Sequence, residues 1–151
     1  MIDESVALAK KFFSGKYDCS QSVMKTILVG MKMDFEQIMP LAAGLGAGVA
    51  HEGSVCGAVS GAILALGVIE SSLHSDALKH KKATYAASEE FVRRFKLKNK
   101  TILCDKLTGI KMTDIDARKN ANEEGLFEKK CPSFIEDAVR IAFEIATEEM
   151  D

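Results

Sequence analysis

Apolar residues along this chain recur every three to four positions, and no segment alternates apolar and polar side chains as a half-buried strand does. The pattern predicts helices throughout. The first spans 3–13, with Val6, Ala9 and Phe13 on one face, and ends at Gly15. Asp18 and Gln21 have capping-box spacing, so a second helix starts there and turns Val23, Ile27 and Met31 inward. Asp34 and Gln37 repeat the spacing ahead of a third helix, which Pro40 kinks or restarts because it lacks an N–H. A loop over 44–53 feeds a helix that starts near Ser54 or Val55. A polar helix follows over 75–97, with Leu78, Tyr85, Val92 and Phe95 as its buried side. Thr101 is placed to cap a short helix that contains Cys104 and ends at Gly109. Residues 110–130 are polar and expected to be partly irregular. Ser133 and Glu136 suggest a cap for the last helix, with Ile135, Val139, Ala142, Ile145 and Ala146 inward.

Glycine changes this picture in one place. Seven of the eleven glycines fall between Gly44 and Gly67. Such density implies unusual backbone angles or close approach. Gly57, Gly61 and Ala65 lie four apart, so one face of the following helix admits a neighbour at short range. The expected fold is all-α: a single domain over 1–151, a bundle of five to seven helices, with a Gly-rich loop leading into a central buried helix.

Composition narrows the functional classes. The chain has 151 residues, 47% of them hydrophobic and 28% charged, and a formal net charge of −2. That is ordinary globular composition, without the basic face that nucleic acid requires. The uncharged run Val55–Ile69 is shorter than the roughly 20 residues of a membrane span, so no membrane association is expected. The acidic start, Met1-Ile2-Asp3-Glu4, does not resemble a secretory signal, and the expected location is cytoplasmic. Thiols there are kept reduced, which turns attention from structural disulfides to metal ligands, redox thiols or core residues.

The four cysteines, Cys19, Cys56, Cys104 and Cys131, are spaced by 37, 48 and 27 residues. No Cys-x-x-Cys or paired zinc-ribbon spacing is present. Their positions on the expected helices say more. Cys19 and Cys56 fall in first turns, Cys104 lies early in its short helix, and Cys131 just precedes the last helix, ahead of Pro132. Helix N-termini carry positive partial charge, which favours thiolate. Against this, a free cysteine taken singly is more often a core residue. His51 and Glu52 stand close before Cys56 and have ligating or proton-transferring side chains, although a lone loop histidine is more often a surface residue. Gly44-Leu45-Gly46-Ala47-Gly48-Val49 fails as a dinucleotide fingerprint, since position 49 is not glycine and no strand precedes it. Its amides could still tune a nearby sulfur. His74, His80 and the run Lys79–Lys82 suggest solvated positions, and Met24, Met31, Met33 and Met39 core filler.

Tyr17-Asp18-Cys19-Ser20-Gln21-Ser22-Val23, then Gly44-Leu45-Gly46-Ala47-Gly48, then Cys56-Gly57-Ala58-Val59-Ser60-Gly61, then single Cys104 and Cys131, together resemble the redox-active protein family with the C_GCAxxG_C_C cysteine pattern. The resemblance implies an all-helical protein whose four cysteines act together, with Gly57, Ala58 and Gly61 shaping the central helix around any cofactor. It assigns no role to His51, which is kept beside the cysteines as a candidate metal ligand. Two chemistries stay open: reversible thiol/disulfide exchange, or ligation of an iron–sulfur cluster. A structural zinc site and a helical interaction module without redox chemistry are the alternatives. Whether the protein is an oxidoreductase or an electron carrier is also open. A redox partner protein is expected, and the Gly-rich helix could pack against a second copy as a homodimer.

Overall fold

The computed structural model describes residues 1–150. They form an all-helical bundle in the order α1 (Ile2–Ser14), α2 (Cys19–Gly30), α3 (Ile38–Ala42), a 3-10 turn (Ala43–Leu45), α4 (Gly46–Val49), α5 (Gly57–Ser71), α6 (Ala77–Asn99), α7 (Cys104–Thr108), α8 (Ile115–Glu123) and α9 (Leu126–Met150). The all-α class expected from periodicity is what the structure shows.

The core follows from which faces are apolar. Val23, Met24, Ile27 and Leu28 of α2 meet Ala58, Val59, Ala62, Ala65, Leu66 and Ile69 of α5, all at most 1% exposed. Phe91 and Phe95 of α6 stack at 6.0 Å, and α9 contributes Ile135, Val139, Ala142, Ile145 and Ala146, all buried. The α2–α5 contact is the most extensive in the molecule. It is close because Gly61 has no side chain: a Cβ there would lie 2.5 Å from the Ser20 carbonyl oxygen. Among the described residues, no helix is long and apolar enough to cross a membrane.

Several expected boundaries are corrected. The helix expected from Ser54 or Val55 starts at Gly57, with Cys56 as its N-cap. Asp34 caps nothing and pairs instead with Lys25; Gln37 is the N-cap residue of α3. Leu78 and Tyr85 are exposed, and the buried side of α6 is Ala87, Phe91 and Phe95. Leu103, not Thr101, is the N-cap residue of α7; the Thr101 hydroxyl accepts from the Leu103 amide. Residues 110–130 contain the whole of α8, capped by Asp114, and the start of α9. Helix α9 therefore encloses Cys131 and Pro132, and Ser133 donates back to the Lys130 carbonyl instead of capping. Burial of an apolar stripe sets these limits, and the local cap signals yield to it.

Candidate functional site

Each cysteine is placed by a separate local device. Asp18 accepts from the Gln21 amide at 2.9 Å while Gln21 accepts from the Asp18 amide, a complete capping box that makes Cys19 the first residue of α2. Gly57 lies directly against the Cys19 sulfur, where a Cβ would overlap it, and Gly46 lies equally tightly against the Asp18 carboxylate. Cys56 caps α5 with its backbone, and its amide donates to the Ile102 carbonyl at 2.7 Å. The Cys104 amide donates in turn to the Ser54 carbonyl, also at 2.7 Å. These bonds flank an antiparallel bridge between Val55 and Leu103, which sets Cys104 beside Cys56. Lys130 donates to the Thr108 carbonyl, tying the start of α9, and so Cys131, to the end of α7.

The segment between α3 and α5 is the least ordinary backbone in the molecule. Five consecutive residues, Ala47, Gly48, Val49, Ala50 and His51, have φ between 48° and 70°. Although α4 has helical hydrogen bonding, Ala47 and Gly48 have left-handed angles. For L residues this costs roughly 1–2 kcal/mol each, most at a β-branched residue such as Val49. Backbone bonds hold the turn: Gly53 to Ala47, Ser54 to Gly48, and Ala50 to Gly44 and Gly46. One result is that the Ala47 amide faces the Cys19 sulfur.

All four cysteines line one cavity of about 390 Å³. Its other walls are mainly apolar, with Phe13, Leu107, Met112, Phe127 and Phe134 beside the cationic Arg118 and Lys119. Cys56 and Cys104 are buried, Cys19 and Cys131 half-buried, and all four are free thiols. His51 and Ala58 also line the cavity. Gly57 lines it too, whereas Gly61 acts one turn deeper, against Ser20. The lining includes Asp18, Arg118 and Lys119, which sequence reading did not single out for chemistry; for the two cations no local motif could have done so.

The electrostatics reverse an expectation. Helix starts favour thiolate, and the amides of Ala58 and Val59 do so for Cys56, as those of Ala47 and Ser20 do for Cys19. Burial outweighs them. It pushes Cys19, Cys56 and Cys131 up to about 12 and Cys104 to about 11, with repulsion from neighbouring cysteines as a further cause at every one. At neutral pH the site is four protonated thiols. Asp18 is likewise pushed up by burial.

Among the described residues, no three His, Cys, Asp or Glu side chains come together closely enough to hold a single metal ion. His74 and His80, expected in solvent, are partly covered: the His80 ring bonds the Gly67 carbonyl at 2.8 Å, and His74 lies 3.7 Å from the buried Glu70.

A family model described as "Putative redox-active protein (C_GCAxxG_C_C)" matches residues 17–145. Comparisons with curated proteins and with solved structures return no match.

Proposed function

The chain belongs to the C_GCAxxG_C_C family of redox-active proteins, and from that premise we propose that Cys19, Cys56, Cys104 and Cys131 form one redox centre, as the thiolate ligands of an iron–sulfur cluster. One observation carries the reading: four sulfurs from four separate elements border one cavity. Four cysteines are the common ligand set of such clusters, which supply one-electron transfer when bound. In a four-iron cluster each iron takes its own thiolate, so the four ligands stand farther apart than around one ion. Four mutually repelling thiolates need a cationic group to replace their protons, and metal binding releases protons for this reason.

In this reading the chain's own groups have distinct tasks. The amides of Ser20, Ala47, Ala58 and Val59 point at two of the sulfurs and stabilise their charge. Gly57 leaves room for the Cys19 sulfur, and Gly61 fixes the distance between α2 and α5. Arg118 and Lys119 offset negative charge at the cavity wall. His51, on the wall and exposed, is kept as a candidate fifth donor.

A second reading is favoured by one contact. Cys56 is the strongest charged influence on Cys19 after burial, and Gly57 abuts the Cys19 sulfur. This pair is the first candidate for a reversible disulfide.

One preparation tests both. The protein is purified without oxygen, its visible spectrum recorded, and iron, acid-labile sulfide, zinc and free thiols measured. Iron and sulfide in equal amounts with visible absorption support the cluster. A colourless, metal-free protein that loses two thiols on mild oxidation supports the disulfide. A colourless protein with four thiols inert to oxidant and to iron reconstitution overturns the redox assignment.

A further inference from the structure

Leu78, Tyr85 and Val92 share one face of α6, and the bundle leaves that face uncovered: Leu78 is 56% and Tyr85 64% exposed, and Val92 is half-buried. Lys81 and Glu89, both exposed, complete it. The five positions are spaced by three, four, four and three residues, which is one stripe of an α-helix. A different side of α6, formed by Ala87, Phe91 and Phe95, meets the core. A shallow depression lies on the stripe, lined by Tyr85, Ser88, Glu89 and Val92. No residue of α6 borders the cavity of the four cysteines, so this surface is separate from that site. The close-packing face of α5 is closed to a second copy, since Gly57 and Gly61 lie against Cys19 and Ser20 of α2.

The side chains of the stripe are arranged symmetrically about Tyr85. Leu78 and Val92 lie seven residues to either side of it, and Lys81 and Glu89 four to either side. Two such helices packed antiparallel, with Tyr85 on the two-fold axis, bring Leu78 against the partner's Val92 and Lys81 against the partner's Glu89, each contact occurring twice. Lys81 and Glu89 have no ion-pair partner among the described residues, whereas Glu90, Arg93 and Arg94 beside them are paired within the chain. A parallel pair would set each charge against its own copy, so charge selects the antiparallel arrangement.

We propose that this stripe of α6 is the contact face of an antiparallel homodimer, with the Tyr85 ring of each copy seated in the depression of the other. The contact covers positions 78–92, about 21 Å of helix. Such a contact falls at the small end of specific interfaces, so association is weak and depends on concentration.

Sedimentation velocity of the full chain from about 10 μM to about 1 mM reads the equilibrium. A reducing agent is present throughout, so that no cysteine-linked dimer contributes. The parent is expected to pass from monomer to dimer across this range. Y85E removes the central ring and sets two carboxylates on the axis. It is expected to weaken association at least about tenfold, with the helical circular dichroism unchanged because the position is exposed. K81E and E89K each set like charges together at both flanking contacts, and each is expected to weaken association about tenfold. Mixed in equal amounts, these two variants regain opposite charges at both contacts, and the mixture should associate about as tightly as the parent. A parent that stays monomeric at every concentration, a dimer that Y85E leaves as tight, or a mixture no tighter than either variant alone would each overturn the proposal.

Discussion

Cys104 holds its proton least tightly of the four thiols, at about 11 against about 12 for the others. Only thiolate attacks an alkylating agent, so all four should react slowly in the native metal-free protein. Iodoacetamide modification at pH 7, followed by mass spectrometry, is expected to run at least about tenfold slower than in urea. It should then rise about tenfold per pH unit, with no plateau below pH 10. A native rate equal to the unfolded one would contradict the buried, proton-holding thiols. At this scale the sequence was informative about which residues matter and misleading about their state. The order Cys19, Cys56, Cys104, Cys131 was plain, and the helix-start positions of three of them were correct. Their pKa direction was not legible, because it depends on burial by Phe134, Leu107 and other distant residues, which no local pattern encodes.

The elements were legible wherever an apolar stripe was long. Helices α1, α2 and the inward face of α9 were all readable from periodicity. The short α7 was legible as well, with Cys104 inside it and Gly109 at its end, and only its cap was misassigned to Thr101; α8, without a stripe of its own, was not. The Val55–Leu103 bridge joins segments nearly fifty residues apart and left no sequence signal. Cys131 was misplaced because Pro132 marks a helix start when read alone, whereas α9 tolerates it internally by forgoing one bond to Glu128. Glycines at helical spacing did announce a close contact, and Gly61 is where it can be tested. G61A gains up to about 1 kcal/mol of helix propensity, yet its methyl must displace the Ser20 carbonyl from 2.5 Å, an overpacking cost of about 1–3 kcal/mol. The expected result is net destabilisation of about 1–2 kcal/mol in urea unfolding, together with weaker iron uptake. A G61A protein as stable as the parent would mean that α2 and α5 are farther apart.

For the whole molecule, the four thiols act together as a pH-dependent term. Each is about 9 when unperturbed and about 11–12 when folded, so the native state binds more protons than the unfolded chain between those limits. Stability is therefore intact below pH 9 and declines as pH rises toward 12. Urea midpoints measured from pH 8 to 10.5 should fall in the parent and fall less in a C56A variant. A bound cluster would remove those protons beforehand. The reconstituted protein is thus expected to melt at a higher temperature than the metal-free one and to show a smaller alkaline loss. Equal melting temperatures with and without iron would count against the cluster. The all-helical class and the single family pattern were readable over nearly the whole chain. The cavity was not, because its wall is assembled from α1, α7, α8 and α9, which meet only in three dimensions.

The left-handed run from Ala47 to His51 has a stereochemical consequence. Those residues occupy the backbone region that belongs by symmetry to amino acids of the opposite chirality. Chemical synthesis with D-valine at position 49 would give the turn a building block whose preferred angles already match φ 69°. Mirror-image residues normally disrupt helical proteins. Here the D-Val49 protein is expected to unfold at an equal or higher temperature than the all-L chain, whereas D-alanine at position 62, inside right-handed α5, should lower the unfolding temperature.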